Sequence, residues 1–368
     1  MLDLSAMRAV SVDPSRRIAR VQGGATWADF DRETQLFGLA TTGGVVSTTG
    51  VAGLTLGGGI GWLVARYGMS IDNLLAVELV TADGAVITAS DDEHPDLFWA
   101  LRGGGGNFGV ATAFEFQLHP LSTVYSATFA FPAAMARALL DIYREMTANL
   151  PDEMMAYFFY VTEPESGEVL AVVETTYCGP PEEAEPLIAP LRRFGESLLQ
   201  EVETMPYLRK QAASDIFFPA GLRYYWKANL FETLSDGVLD ALHEYGAHPP
   251  SPRTLVAIEN YHGAFNRIDP TATAYPHRDV HYQLVVSSAW EDAEDDDANI
   301  AWSRELYAAT RADAKDGQFL NFNSLEGAER ADRTRAGYGR NWQRLTEIKR
   351  RYDPANIFRG NSNILPTG

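Results

Sequence analysis

Apolar and polar positions alternate with a period of two over two short runs between residues 8 and 22, around a turn at Asp13-Pro14, and predict a pair of strands. In GGATWADFDRETQLFG the spacing lengthens. Trp27, Phe30 and Phe37 form an apolar stripe, Thr26 with Asp29 three residues on makes a capping box, and Gly38 closes a helix. LAVELVTADGAVITAS reads as two β runs around Asp83-Gly84, a hairpin signal. Pro95 opens a short helix, and Val110, Thr112, Phe114, Phe116 and Leu118 share one face of a strand that runs up to Pro120.

From residue 123 to about 318 the texture changes. Strand-like runs (VYSATFAF, MMAYFFYVTE, VLAVVETTYC, RYYWKANLFE, TLVAIENYHGAF and HYQLVVSSAW) are interleaved with helical patterns near 133–149, 181–193, 235–245 and 299–314. Neighbouring strands can pair antiparallel, which predicts one large α+β layer. A last helix near 340–351 carries Trp342, Leu345 and Ile348 on one face and ends at Tyr352-Asp353-Pro354. The expected organisation is therefore 1–122, 123–318 and a closing segment 319–368.

Two glycine-dense segments break this pattern. GVAGLTLGGGIGW at 50–62 holds six glycines, and GGGGNFG spans 103–109. Gly104, Gly106 and Gly109 match G-x-G-x-x-G, but here a helix precedes the loop and a strand follows it, the reverse of a dinucleotide fingerprint. Neither segment has the Lys-Ser/Thr of a phosphate-binding P-loop. Backbone without side chains admits a planar, phosphorylated cofactor close to the main chain; tight turns with close strand packing are the other reading. The net charge of −19 argues against non-specific binding to nucleic acid or an anionic membrane surface. A single cysteine, Cys178, allows no intrachain disulfide. With no basic n-region and no apolar run near the ~20 residues of a membrane span, a cytoplasmic protein without a membrane partner is expected.

The stretch GGATWADFDRETQLFGLATTGGVVSTTGVAGLTLGGGIGWLVARYGMSIDNLL, then VTADG and DLFWALRGGGGNFGV, then YPHRD at 275–279 and the tail GYGRNWQRLTEIKRRYDPANIFRGNSNI, resemble the FAD-linked oxidases with a vanillyl-alcohol-oxidase-type (PCMH-type) flavin domain, in the berberine-bridge-enzyme-like branch. The resemblance implies an α+β fold: a flavin domain from the N-terminal part and the tail, and an antiparallel-sheet substrate domain covered by helices. It implies FAD as cofactor and an enzyme that oxidises a hydroxyl-bearing small molecule (sugar, alcohol or secondary metabolite), with dioxygen as acceptor. It places cofactor contacts at Ser47, Thr48, Thr49, Gly50, Gly53, Gly57, Gly58, Gly61, Asn73, Gly105, Asn107, Gly109, Val110 and Asn363. In three respects the chain departs from the family pattern. It begins at MLDLSAMRAV, past the place of the diphosphate loop and its flavin-linked histidine, so the flavin domain reads as N-terminally truncated. The second covalent anchor falls on Val46, so FAD is expected to be held non-covalently. The Y-x-N-Y strand reads Phe319-Leu320-Asn321-Phe322, which leaves Asn321 as its polar member. The alternatives are a non-catalytic family member with weak or no flavin binding, and a dehydrogenase that reacts poorly with oxygen.

With both tyrosines of that motif replaced, a base must lie elsewhere. Alternation in Tyr224-Tyr225-Trp226-Lys227 puts Tyr225 and Lys227 on one strand face, as candidate substrate wall and proton acceptor; core packing is the competing reading. Tyr157 and Tyr160 are weaker candidates in a buried strand. His277, Asp279 and His281 sit two apart and suggest a metal only if they share a strand face; polar contacts to neighbouring loops explain them better, and no metal is expected. The acidic run 291–297 lacks the glycine and spacing of a calcium loop and suits a helix start. Lys349, Arg350 and Arg351 end a helix, where cations are favoured.

Overall fold

Two large antiparallel sheets organise the chain, built mostly from strands that the period-two pattern marks. The computed structural model describes residues 2–322, 330–360 and 362–366, so parts of the closing segment (323–329, 361, 367 and 368) lie outside the described residues. The first sheet has five strands, in spatial order Val10–Asp13, Ile18–Gln22, Val110–Gln117, Leu74–Val80 and Val86–Ser90. The helix Trp27–Gln35 begins at the expected capping box: the Thr26 hydroxyl accepts from the Asp29 amide, and the Asp29 carboxylate accepts from the Thr26 amide at 3.0 Å. Its Trp27 and Phe30 pack edge-on to one another and against Phe116. The helix Trp342–Tyr352 returns to this core through Leu345 and Ile348.

The tail is pinned there by buried polar groups. Lys349 Nζ donates to Asn107 O, Phe358 O and the Asp353 carboxylate, with both charged side chains at 0% exposure. Asn107 donates to Gly104 O and Ser362 O and accepts from the Ile364 amide.

The second sheet has seven strands, in order Leu199–Pro206, Thr123–Pro132, Val169–Tyr177, Met154–Thr162, Leu255–Asn260, Tyr282–Trp290 and Arg223–Phe231. Helices Ala136–Thr147, Pro181–Phe194, Asp236–Gly246 and Asp296–Ala309 contribute to the core on one face, where Phe129, Phe158, Val173, Ile258 and Val286 lie. On the opposite face Val124, Met155, Tyr157 and Leu230 share a second buried cluster with Trp62, Leu63, Val64 and Tyr207.

Four elements escape the pattern. The strand Leu199–Pro206 is at the sheet edge, largely exposed and mostly polar, so it carries no apolar alternation. Val51–Leu56 is a short helix inside what reads as bare backbone. The end of TLVAIENYHGAF leaves the sheet after Asn260 and turns at Gly263 (φ +64°) into the helix Ala264–Arg267. The helix Arg330–Tyr338 follows a polar stretch with no apolar stripe. Among the described residues no helix is long and apolar enough to cross a membrane.

Candidate active site

This second face of the seven-stranded sheet closes a cavity of about 880 Å³ against the first glycine segment. One wall is main chain and small side chains: Gly44, Val46, Thr49, Gly50, Gly53 and Leu54, with Phe319, Asn321 and Phe322 beside them. The other wall is the sheet, whose register sets which side chains arrive. Glu259 pairs with Tyr157, Ala257 with Phe159, and Trp226 with Ser287, and all of these line the cavity.

Glu259 is the group that sequence reasoning missed. It is 5% exposed, and burial pushes its carboxyl up from 4.5 to about 7, against the pull of the Tyr261 hydroxyl that donates to Oε2. Its signal was present: one acid inside LVAIEN, a strand buried along its whole length. Tyr157 beside it is stacked on Trp62 at 4.6 Å, and its hydroxyl is buried with no partner among the described residues. Burial, then the nearby Glu259, raise its pKa well above the ordinary value, so it remains a neutral phenol. Further along, Glu174 lines the cavity and is paired with the fully buried Lys210, which also donates to Ser126 Oγ at 3.3 Å and sits over the Trp62 ring.

Of the sequence candidates, Thr49, Gly50, Gly53 and Asn321 line this cavity, and Asn321 Nδ2 donates to Leu54 O at 3.2 Å. Tyr225 and Lys227 do not line it. A strand alternates, so Trp226 takes the cavity side and its neighbours take the other. Lys227 pairs in register with Val286 of the helix-covered core, and the Tyr225 hydroxyl accepts from Arg304 Nε of the helix Asp296–Ala309. Tyr160 likewise belongs to the helix-covered core.

Several predicted cofactor contacts have other partners. The Ser47 amide and hydroxyl both donate to the Asp215 carboxylate, at 2.7 and 2.5 Å, and Thr48 is exposed. Asn73 donates to Tyr67 O and Met69 O and meets His119 Nε2 at 2.7 Å. Gly57, Gly58 and Gly61 serve close packing: a Cβ would fall 1.9 Å from Asn321 Oδ1, 2.5 Å from Met69 and 1.8 Å from Gly43 O, respectively. Gly105, Asn107, Gly109 and Val110 lie outside the cavity, where the loop 103–109 braces the glycine segment through Gly105 N to Leu56 O at 2.8 Å. Asn363 Oδ1 is buried with no partner among the described residues.

The metal candidates separate. His277 Nε2 meets Gly337 O, Asp279 pairs with Lys315, and His281 Nδ1 meets Tyr261 O. Between them Arg278 runs inward to a bidentate, buried pair with Asp72, at 2.8 and 2.7 Å, which fastens YPHRD to the segment behind the glycine wall.

Comparison with known proteins agrees with this architecture. The FAD binding domain family matches residues 1–90, and the family described as berberine and berberine like matches residues 318–365. An FAD-linked oxidoreductase of Dictyostelium discoideum is 30% identical over 370 residues, covering 100% of this chain and 79% of the relative. The (R)-6-hydroxynicotine oxidase of Paenarthrobacter nicotinovorans is 33% identical over 387 residues, covering 100% and 82%. The crystal structure of 6-hydroxy-D-nicotine oxidase from Arthrobacter nicotinovorans superimposes with a TM-score of 0.86 at 30% identity, over 100% of this chain and 82% of that one. The chain belongs to the FAD-linked oxidoreductases of the PCMH-type, berberine-bridge-enzyme-like family. It is an FAD-dependent oxidoreductase, and its cofactor is FAD.

The residues present fit that group. A Cβ built on Gly50 or Gly53 would meet no protein atom within 4 Å, so both present bare main chain to the cavity. A planar ring can therefore approach this wall without displacing a side chain.

Proposed function

We propose that this protein oxidises a hydroxyl-bearing small molecule held between the glycine wall and the sheet, with Glu259 as the base, FAD held without a covalent bond to these residues, and dioxygen as the final acceptor. The observation that carries the reading is Glu259: a carboxyl with proton affinity near neutrality, on the cavity face of the sheet opposite the main chain that fits the flavin. Bound FAD supplies a two-electron acceptor for a C–H hydride. Glu259 accepts the proton of the substrate hydroxyl at a carboxylate oxygen, and a base poised near the working pH is the effective kind. Tyr157, a neutral phenol with no other partner among the described residues, donates a hydrogen bond to the substrate oxygen. Phe159, Trp226 and Phe322 keep water from the reacting atoms. The hydroxynicotine oxidase relative acts, by its name, on a hydroxylated small molecule, which supports the substrate class.

Among the described residues no cysteine or histidine lines the cavity, and Val46 occupies its glycine-rich wall, which supports the non-covalent reading. The test is a visible spectrum of the purified protein before and after acid precipitation, followed by anaerobic mixing with candidate alcohols. A yellow protein whose flavin goes to the supernatant, and whose flavin band bleaches with substrate and returns with peroxide in air, is the expected result. A colourless protein that takes up no added FAD overturns the reading, and flavin kept in the pellet overturns its non-covalent part.

A further inference from the structure

The sheet register places acids and hydroxyls alternately along one row that crosses the strands on the cavity face. Glu259 pairs with Tyr157, Tyr157 with Glu174, Glu174 with Thr128, and Thr128 with Glu201. All five line the cavity. At a strand spacing of roughly 4.8 Å, Glu174 stands about 10 Å and Glu201 about 19 Å from Glu259. No lysine, arginine or histidine is among the described residues that line the cavity. Glu174 is balanced by Lys210 behind it, whereas the Glu201 carboxylate, exposed on the edge strand, has no ion pair among the described residues. Independently of the acids, Tyr157 and Ser287 are each 1% exposed and line the cavity, and their buried hydroxyls have no partner among the described residues, so the cavity is built to receive a polar ligand.

We propose that the substrate carries a protonated amine on an aromatic or otherwise apolar body, bound at the Glu174–Glu201 end of this row while its hydroxyl lies at Glu259 and Tyr157. This rests on the oxidoreductase reading above for the position of the hydroxyl. An ammonium has three donors and no acceptor, and the row offers carboxylates and a Thr128 hydroxyl to receive them. The aromatic lining (Phe159, Trp226, Phe322) suits the body between the two ends. A carboxylate or phosphate in the amine's place meets the Glu174 and Glu201 carboxylates and no cationic side chain among the described cavity-lining residues, so the same row rejects anionic substrates.

The test uses the flavin-loaded protein and three biphenylmethanols that differ at the far ring, bearing an aminomethyl, a methyl or a carboxyl group. Affinities come from isothermal titration calorimetry, and flavin bleaching is followed separately. The amine is expected to bind about five- to tenfold tighter than the methyl probe, in keeping with one semi-exposed ion pair, and the carboxyl probe weaker than either. Glu201→Gln should bring the amine and methyl probes within about twofold, and Glu201→Lys should favour the carboxyl probe. Equal binding of amine and methyl probes by the unaltered protein, or tightest binding of the carboxyl probe, overturns the proposal. Because binding is read without turnover, an amine preference with no bleaching by any probe supports this selectivity and removes the proposed chemistry. Bleaching without an amine preference does the reverse.

Discussion

Consider Glu259→Gln, which keeps the shape of the side chain and removes its ability to take a proton. The amide oxygen still accepts from the Tyr261 hydroxyl, so the change is close to a pure loss of charge and basicity. In the native protein burial raises the Glu259 carboxyl from 4.5 to about 7. The folded state therefore holds this proton more tightly than the unfolded chain does. The associated stability is fully present below about 4.5 and is lost as pH rises through about 7, an amount on the order of 3 kcal/mol. Glutamine has no such loss. The variant should match the native protein in urea unfolding near about pH 4 and exceed it by up to about 3 kcal/mol near about pH 8. Turnover should move the other way. Native kcat should rise with pH through about 7 as the base becomes available, and the variant should be slower by about 10²–10⁴ with no such rise. Stopped-flow bleaching of the flavin, measured alongside urea midpoints at both pH values, checks both halves. A loss of less than about tenfold at high pH refutes Glu259 as the base, and a urea difference independent of pH refutes the buried, neutral carboxyl.

Gly53→Leu adds a side chain where the protein leaves open space, so unfolding without flavin should change by less than about 1 kcal/mol while the flavin-to-protein absorbance ratio falls several-fold. Gly61→Ala drives a Cβ to 1.8 Å from Gly43 O and should cost about 1–3 kcal/mol in the same unfolding assay. Tyr225→Phe lies on the far face of the sheet; kcat should stay within about twofold and stability should drop by about 1 kcal/mol for the hydrogen bond from Arg304. Asp353→Ala leaves the Lys349 ammonium buried without its counter-charge and should cost about 3–5 kcal/mol, read from the urea midpoint.

The fold was legible in the sequence wherever one face of an element is buried and the other is not, as in Val110–Gln117 or the capped helix at Trp27. It was illegible where that contrast fails. Leu199–Pro206 is an exposed edge, so nothing in its own pattern marks it as a strand. The glycine excess pointed to the main-chain wall of the cavity but not to the division of labour within it. Gly50 and Gly53 face open space, whereas Gly57, Gly58 and Gly61 admit neighbouring protein atoms. Local sequence cannot tell these apart, because the neighbours come from residues 43, 69, 319 and 321. Tyr225 and Lys227 were rightly put on a shared face, but alternation alone does not say which face meets helices and which meets the cavity. Glu259 was readable as an acid in an apolar strand; its meaning depended on strands from three separate stretches arriving in register.

The hydrogen bond from Ile364 to Asn107 joins residues 257 apart in sequence, and the Lys349 contacts close the same seam. Such long-range pairing comes late and slows folding. During synthesis the five-stranded sheet leaves the ribosome early, yet its core lacks Leu345, Ile348 and Ile364 until the whole seven-stranded sheet has been made. The five-stranded half of the molecule must wait, with apolar surface uncovered, for the seven-stranded half to be completed between its two parts. A stalled or prematurely ended chain is therefore most vulnerable in the five-stranded sheet, not in its newest residues.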